Sequence, residues 1–255
     1  MSFIETRTDG PILIVTLNRP DARNAFDKAM ADDMEAVMDR YESSSELRAA
    51  ILCAKGPTFS AGQDLKAAAR GERAVSKVRG GFGIFRKPPL KPLIAAVEGH
   101  ALAGGMELTL CCDLIVASSS SMFGLAEAKH SLVALGGGCF RLPRLLPYQL
   151  AMEMLLTAQP KSAEVMHRFG YVNSLVEPGQ VMEEALRLAA LIAANAPLAV
   201  RASKEIAWTS MTERWTDAEA WEKQVPAVQP VLDSHDFKEG LRAFAEKRPP
   251  VWLGH

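Results

Sequence analysis

The sequence predicts a mixed α/β fold whose C-terminal part is helical, and three observations carry that prediction. Short apolar runs recur through the first half, ILIVTL (12–17), AAILCA (49–54), LIAAV (93–97) and DLIVAS (113–118), each bounded by turn residues as buried strands are. From residue 148 onward the apolar spacing becomes helical. The chain has 255 residues, 48% of them apolar and 23% charged, which suits one large domain, with or without a small appendage.

Taken in order, residues 2–8 and 11–18 read as two strands around the hairpin dipeptide Asp9-Gly10. Residues 27–43 come next as an amphipathic helix behind Asp27 as cap, with Met30, Met34, Val37, Met38 and Tyr41 at helical spacing. That methionine-rich stripe is read as core packing. Strand 49–54 leads into KGPTFSAGQDLK, a loop punctuated by Gly56, Pro57 and Gly62, with Asp64 able to cap the segment after it. The segment 71–92 holds Gly80, Gly81 and Gly83, which argue against a long regular helix; it reads as a mobile helical or lid segment carrying Phe82 and Phe85. Strand 93–97 and strand 113–118 flank ALAGGMELTLCC. Helices are expected at 149–156, 162–169, 181–195, 198–210, 216–232 and 236–246, with a short strand at 172–176.

Net charge is −1 with both signs interspersed, so nothing marks a nucleic-acid or membrane-surface partner, and a small metabolite is the expected one. The N-terminal stretch alternates like a strand and lacks the basic and apolar regions of a targeting peptide, and no segment is expected to span a membrane. Cys53, Cys111, Cys112 and Cys139 have no CxxC spacing; they read as small residues in a reducing, cytoplasmic compartment, with no metal expected.

Two stretches carry chemistry. In 101–113 a buried strand runs through a glycine pair into a helix whose first turn holds Glu107. First-turn amides have no intrahelical acceptor and can receive developing negative charge, with Gly104 the leading donor and the Glu107 carboxylate expected to hang beside it. The plain alternative is a glycine-rich turn with a dipole-favoured glutamate. In the loop after strand 49–54, Gly62 can turn the amide of Gln63 outward as a second donor; a capped loop is the alternative there. LGGGCFRLPRLLP offers three glycines before a further helix, which is either a polar-ligand-friendly helix start or a tight turn. A serine hydrolase elbow, a dinucleotide fingerprint and a P-loop are all missing from the sequence. Two amide donors and two carboxylates, Glu107 and Glu127, are the equipment for stabilising an enolate while moving protons or water.

The motifs FSAGQDLK (59–66), ALAGGMEL (101–108), FGLAEAK (123–129), LGGGCFRLP and AFAEKRPPVWLGH, in that order along the whole chain, resemble those of the enoyl-CoA hydratase/isomerase (crotonase) family. EAK, RLPRLLP, NAPLA, KEI and FAEKRPPVW are also similar to the carnitinyl-CoA dehydratase branch. The resemblance implies a spiral of repeated β-β-α turns over residues 1–195 and a helical trimerisation region over 196–255, in trimers that often pair as hexamers. It further implies an oxyanion hole made by the amides of Gln63 and Gly104, and the hydratase pair of glutamates at Glu107 and Glu127. Isomerases of the family typically keep only the second of these. Ala61, Gln63, Asp64, Leu65, Lys66 and Gly104 correspond to substrate and coenzyme A contacts, and Phe244 and Lys247 to C-terminal residues that reach coenzyme A, including across a subunit boundary. No separate cofactor is implied, because coenzyme A belongs to the substrate. The sequence departs from the common pattern at Ala103, where many members have glycine, at Ala126, where proline is frequent, and in SLVALGGG.

Overall fold

In the computed structural model, which describes residues 3–255, two sheets run side by side and successive turns of chain add a strand to each. The strands are β1 (Ile4–Asp9), β2 (Ile12–Leu17), β3 (Ala49–Ala54), β4 (Thr58–Ser60), β5 (Leu93–Val97), β6 (His100–Leu102), β7 (Leu114–Ser118), β8 (Met122–Gly124), β9 (Lys161–Ser162) and β10 (Ser174–Val176). The larger sheet has the order β1-β2-β3-β5-β7-β10 and the smaller β4-β6-β8-β9. Apart from the β1–β2 hairpin and the β8–β9 edge, the neighbours pair in parallel. The pairs β3–β4, β5–β6 and β7–β8 are thus equivalent steps of a spiral, each strand leaving the larger sheet and re-entering the smaller one. The expected first strand begins at Ser2, which lies outside the described residues.

Period-two alternation in β2 shows how the layers form. Leu13, Val15 and Leu17 face a core shared with Phe59, Ala101 and Phe123 of the smaller sheet and with α1 (Lys28–Ser43). Ile12 and Ile14 face a second core. That core is closed by α7 (Val181–Ala193), whose Val181, Ala185, Ala189 and Ala193 recur at the helical four-residue interval. Asp27 caps α1 by accepting from Met30 N–H at 2.9 Å, as its type and position predict.

The remaining helices are α2 (Leu65–Ala69), α3 (Gly104–Thr109), α4 (Gly138–Leu145), α5 (Tyr148–Thr157), α6 (Ala163–Arg168), α8 (Pro197–Glu213), α9 (Asp217–Lys223), α10 (Val225–Leu232) and α11 (His235–Glu246). The single helix expected over 216–232 is two. Pro226 cannot donate to the preceding turn, so the chain restarts with proline in the first turn of α10. Among the described residues no single helix is long and apolar enough to cross a membrane.

The expectation of a mobile lid at 71–92 is corrected by the packing. The segment has no long helix, but Arg79 is 1% exposed, with Nε bonded to Asp39 at 2.7 Å and Nη2 to Glu42 at 3.2 Å. Phe82 stacks between Phe26 (4.4 Å) and Phe85 (4.6 Å). A buried arginine paired with two carboxylates of α1 and a three-ring stack hold the segment against α1 and the core.

Candidate active site

The site forms where the two sheets hand the chain from strand to helix. The β6–α3 turn is held by Ala103 N–H donating to Gly124 O at 2.7 Å, while Met106 and Glu107 N–H return to Ala103 O at 2.9 and 3.1 Å. Ala103 has φ 50°, ψ −127°, a backbone position that glycine occupies far more readily. The departure from the common glycine at this position therefore leaves a strained residue immediately before Gly104.

The loop carrying Gln63 backs onto this turn. A Cβ built on Gly62 would lie 2.8 Å from Gly104 N and 3.0 Å from Ala103 Cβ, and Gly62 has φ 93°, so only glycine lets the two backbones meet. The loop is fixed by Phe26 N–H donating to Gly62 O and Asp64 N–H to Phe26 O, both at 2.8 Å. Among the described residues neither Gln63 N–H nor Gly104 N–H has a protein acceptor. The two free amides stand on adjoining turns, one of them at a helix start.

Glu107 is buried on α3, and its carboxylate reaches beyond the Gly104 amide to the glycine triplet. Oε1 accepts from Gly138 N–H at 2.9 Å, at the start of α4. Gly138 and Gly136 must be small, because a Cβ on either would lie 3.2 Å from Glu107 Oε1 or 2.6 Å from Oε2. Burial pushes the Glu107 carboxyl up to about 7. The Gly138 amide lowers it, the Glu127 charge raises it further, and the Gly136 amide and Arg141 lower it. Desolvation therefore outweighs the pull of the helix start. Glu127 lies in a short 3-10 helix, Glu127–His130, half-buried, with Oε2 buried and unpartnered. Burial raises its carboxyl above the ordinary range too.

The raised Glu107 value has a consequence for stability. Below pH 4.5 the carboxyl is neutral in folded and unfolded chains alike. As pH rises towards about 7 the unfolded chain ionises first, so stability falls through that window and the loss is complete above it. The shift corresponds to about 3 kcal/mol. Glu107→Gln removes this titration, so its unfolding free energy relative to the parent should rise by an amount of this order between about pH 5 and pH 8. Urea unfolding of both at the two pH values is the check; parallel pH dependence would show that Glu107 is not strained by burial.

Of the other residues singled out in the sequence, Asp64 caps α2 through Lys66 and Ala67 N–H and pairs with Arg19 at 2.8 Å, so it shapes the loop. Ala61 N–H donates to Arg23 O at 3.0 Å, and Leu65 and Lys66 are exposed beside Gln63. Phe244 is 87% exposed and Lys247 is the exposed C-cap of α11. Among the described residues no hydrogen bond or ion pair joins either to Glu107, Glu127 or the two loops. Two contributors escape sequence reasoning. One is the Gly138 amide, although the glycine triplet itself is plain in the sequence. The other is Arg141, a basic residue in an otherwise apolar helix start, which is 6% exposed and donates to Phe85 O at 2.7 Å, Cys111 Sγ at 3.1 Å and Gly136 O at 3.4 Å.

Comparison with known proteins gives the family and the fold. The family model described as Enoyl-CoA hydratase/isomerase matches residues 7–255. An enoyl-CoA hydratase of Mycobacterium tuberculosis is 42% identical, the alignment covering 98% of this chain and 95% of that one. A carnitinyl-CoA dehydratase of Salmonella heidelberg is 43% identical, covering 96% of each. Among solved structures, an enoyl-CoA hydratase from Mycobacterium tuberculosis H37Rv superposes with TM-score 0.96 at 47% identity over 100% of both chains. A carnitinyl-CoA dehydratase from Mycobacterium avium 104 superposes with TM-score 0.81 at 39% identity, again over both whole chains.

Proposed function

The chain belongs to the enoyl-CoA hydratase/isomerase family, and from that premise we propose that it is a hydro-lyase adding water reversibly across the 2,3 double bond of an enoyl-CoA thioester. The observation that carries the reading is the carboxyl pair of buried Glu107 and half-buried Glu127, both raised, with two adjoining loops bearing free amides next to Glu107. The thioester oxygen takes hydrogen bonds from Gln63 and Gly104 N–H, which strengthen as negative charge moves onto it. One water is held between the glutamates. Glu107, poised near neutrality, accepts its proton as the oxygen attacks C3, and Glu127 delivers a proton to C2. The unpartnered Glu127 Oε2 supports a bound water or substrate as its missing partner.

Coenzyme A enters as part of the substrate, and no further cofactor takes part. Ala61, Asp64, Leu65 and Lys66 line its path, the first two by shaping the loop. Phe244 and Lys247 reach it from a neighbouring subunit, a reading supported by their exposure on α11. The assembly is a homotrimer or a pair of trimers, built through the helical region 196–255 that comes after the spiral core 1–195. Exposed Trp221 (74%), Leu241 (61%) and Phe244 in that region support it. Trp208 and Trp215, by contrast, are half-buried within the chain. Light scattering at working concentration should give a multiple of three chains; a monomer contradicts this. The four unpaired cysteines support action in the cytoplasm.

Dehydration of a carnitinyl-CoA-type substrate is the second reading, favoured by the 43% identity to carnitinyl-CoA dehydratases, and it uses the same groups. Isomerisation and an idle acyl-CoA-binding role are both less consistent with two retained glutamates. A panel of enoyl-CoA and carnitinyl-CoA thioesters, followed by the absorbance of the conjugated thioester, separates these readings. Hydration of none of the enoyl thioesters would overturn the first.

A further inference from the structure

Arg141 is a buried guanidinium that forms no ion pair among the described residues. Its Nε is buried without a partner. Arginine stays protonated in folded proteins, and a buried charge with no carboxylate in contact is costly, so a fold that keeps one has a use for it. Its donors converge from one side chain onto three separate pieces of the site: Phe85 O in the packed segment 71–92, Cys111 Sγ just beyond α3, and Gly136 O in the glycine triplet. The ring centres of Trp208 of α8 and Phe140 each lie 5.5 Å from the guanidinium carbon.

We propose that Arg141 is a positioning residue for the hydration reaction, bracing the glycine triplet so that Gly138 N–H holds Glu107, and supplying the positive charge that keeps one glutamate of the pair ionised. This rests on the reading of Glu107 and Glu127 given above. The mechanical half comes from connectivity. The triplet bonded to Arg141 through Gly136 is the one whose Gly138 amide holds Glu107 Oε1 at 2.9 Å, and a Cβ on Gly137 would lie 2.9 Å from Arg141 Cδ. The electrostatic half comes from charge balance. Repulsion between the two carboxyls removes the doubly ionised state, and burial of both favours the doubly protonated one, in which neither accepts a proton from water. One fixed positive charge favours the singly ionised pair, the state that acid–base hydration uses. The titratable groups facing Arg141 and Glu107 are Glu127 and the Cys111 thiol, which burial pushes up to about 11 and so leaves neutral. Lys204, paired with Asp113 at 2.7 Å, adds a weaker positive field on Cys111.

The test compares Arg141→Met and Arg141→Lys with the parent in the full chain. Two quantities are read: kcat and KM on a thioester that the parent hydrates, and the pH midpoint of Glu107. The midpoint comes from the pH dependence of urea unfolding with and without an added Glu107→Gln, so it does not depend on the reaction and separates this idea from the assignment of hydration. Arg141→Met should lose about tenfold or more in kcat with KM within about threefold, and its Glu107 midpoint should move up. Arg141→Lys keeps the charge and loses the multi-pronged brace, so its midpoint should stay nearer the parent's while kcat falls at least several-fold. If Arg141→Met does not fold, Arg141→Lys decides. Parental kcat in either folded variant, or a low kcat with an unmoved Glu107 midpoint in Arg141→Met, overturns the proposal.

Discussion

Glu107→Gln and Glu127→Gln are each expected to lower turnover about a hundredfold or more, the usual scale for removing a general acid or base, while thioester affinity changes little. The two variants differ in the groups they leave behind. Glutamine at 107 can still accept from Gly138 N–H, so the loop geometry survives and the loss reports the missing proton acceptor. At 127 the partnerless Oε2 is replaced by part of an amide, which can still bind water but cannot protonate C2. The free-enzyme pH profile of kcat/KM should rise through the Glu107 midpoint near 7 in the parent and lose that limb in Glu107→Gln. Steady-state kinetics on one good substrate, with a binding measurement for a saturated acyl-CoA, checks both claims. Parental turnover in either variant would end the paired-carboxylate mechanism.

The second large effect concerns the backbone donors. Gly104→Val should lose roughly a hundred- to a thousandfold in turnover and remain folded, whereas Gln63→Ala should stay active. Gln63 exposes its side chain and contributes its N–H through a loop pinned at Phe26, so the alanine keeps the donor in place. Gly104 has no such latitude. A Cβ there would lie 2.6 Å from Cε2 and Cζ of Phe82, inside the Phe26–Phe82–Phe85 stack, so the valine displaces both the ring and the Gly104 amide proposed to bind the thioester oxygen. A thermal melt beside the turnover assay separates misfolding from misplacement. Collapse of activity in a folded Gln63→Ala, or full activity in a folded Gly104→Val, would move the oxyanion site to other groups.

Local signals are readable wherever one segment supplies its own explanation. The Asp27 cap, the Asp64 cap and the glycine turn before Glu107 each depend on a few neighbouring residues and stand where the sequence puts them, while the first hairpin turns one residue later than expected, at Gly10-Pro11, with Asp9 still paired to Ile12. Features that escape such reading depend on partners far away in the chain. Segment 71–92 looks loose in sequence because nothing within it explains Arg79; its partners Asp39 and Glu42 lie on α1. Spacing pairs Glu107 with the Gly104 amide, its near neighbour, yet the carboxylate bonds to Gly138, an amide 31 positions on. Its raised carboxyl likewise comes from burial under Phe85 and the triplet, which no spacing rule contains. Arg141 is open to one question that the sequence does pose: why a basic residue stands shortly after three glycines, between Phe140 and Leu142.

The most direct test of the central claim is the identity of the product formed in heavy-oxygen water. Incubating the protein with the trans-2-enoyl-CoA it uses best and analysing the thioester by mass spectrometry should show the mass of one added water, with the label at C3. The parent should accumulate this product and Glu107→Gln should not. A product of unchanged mass with a shifted double bond, or a label gained equally by both proteins, would contradict the account.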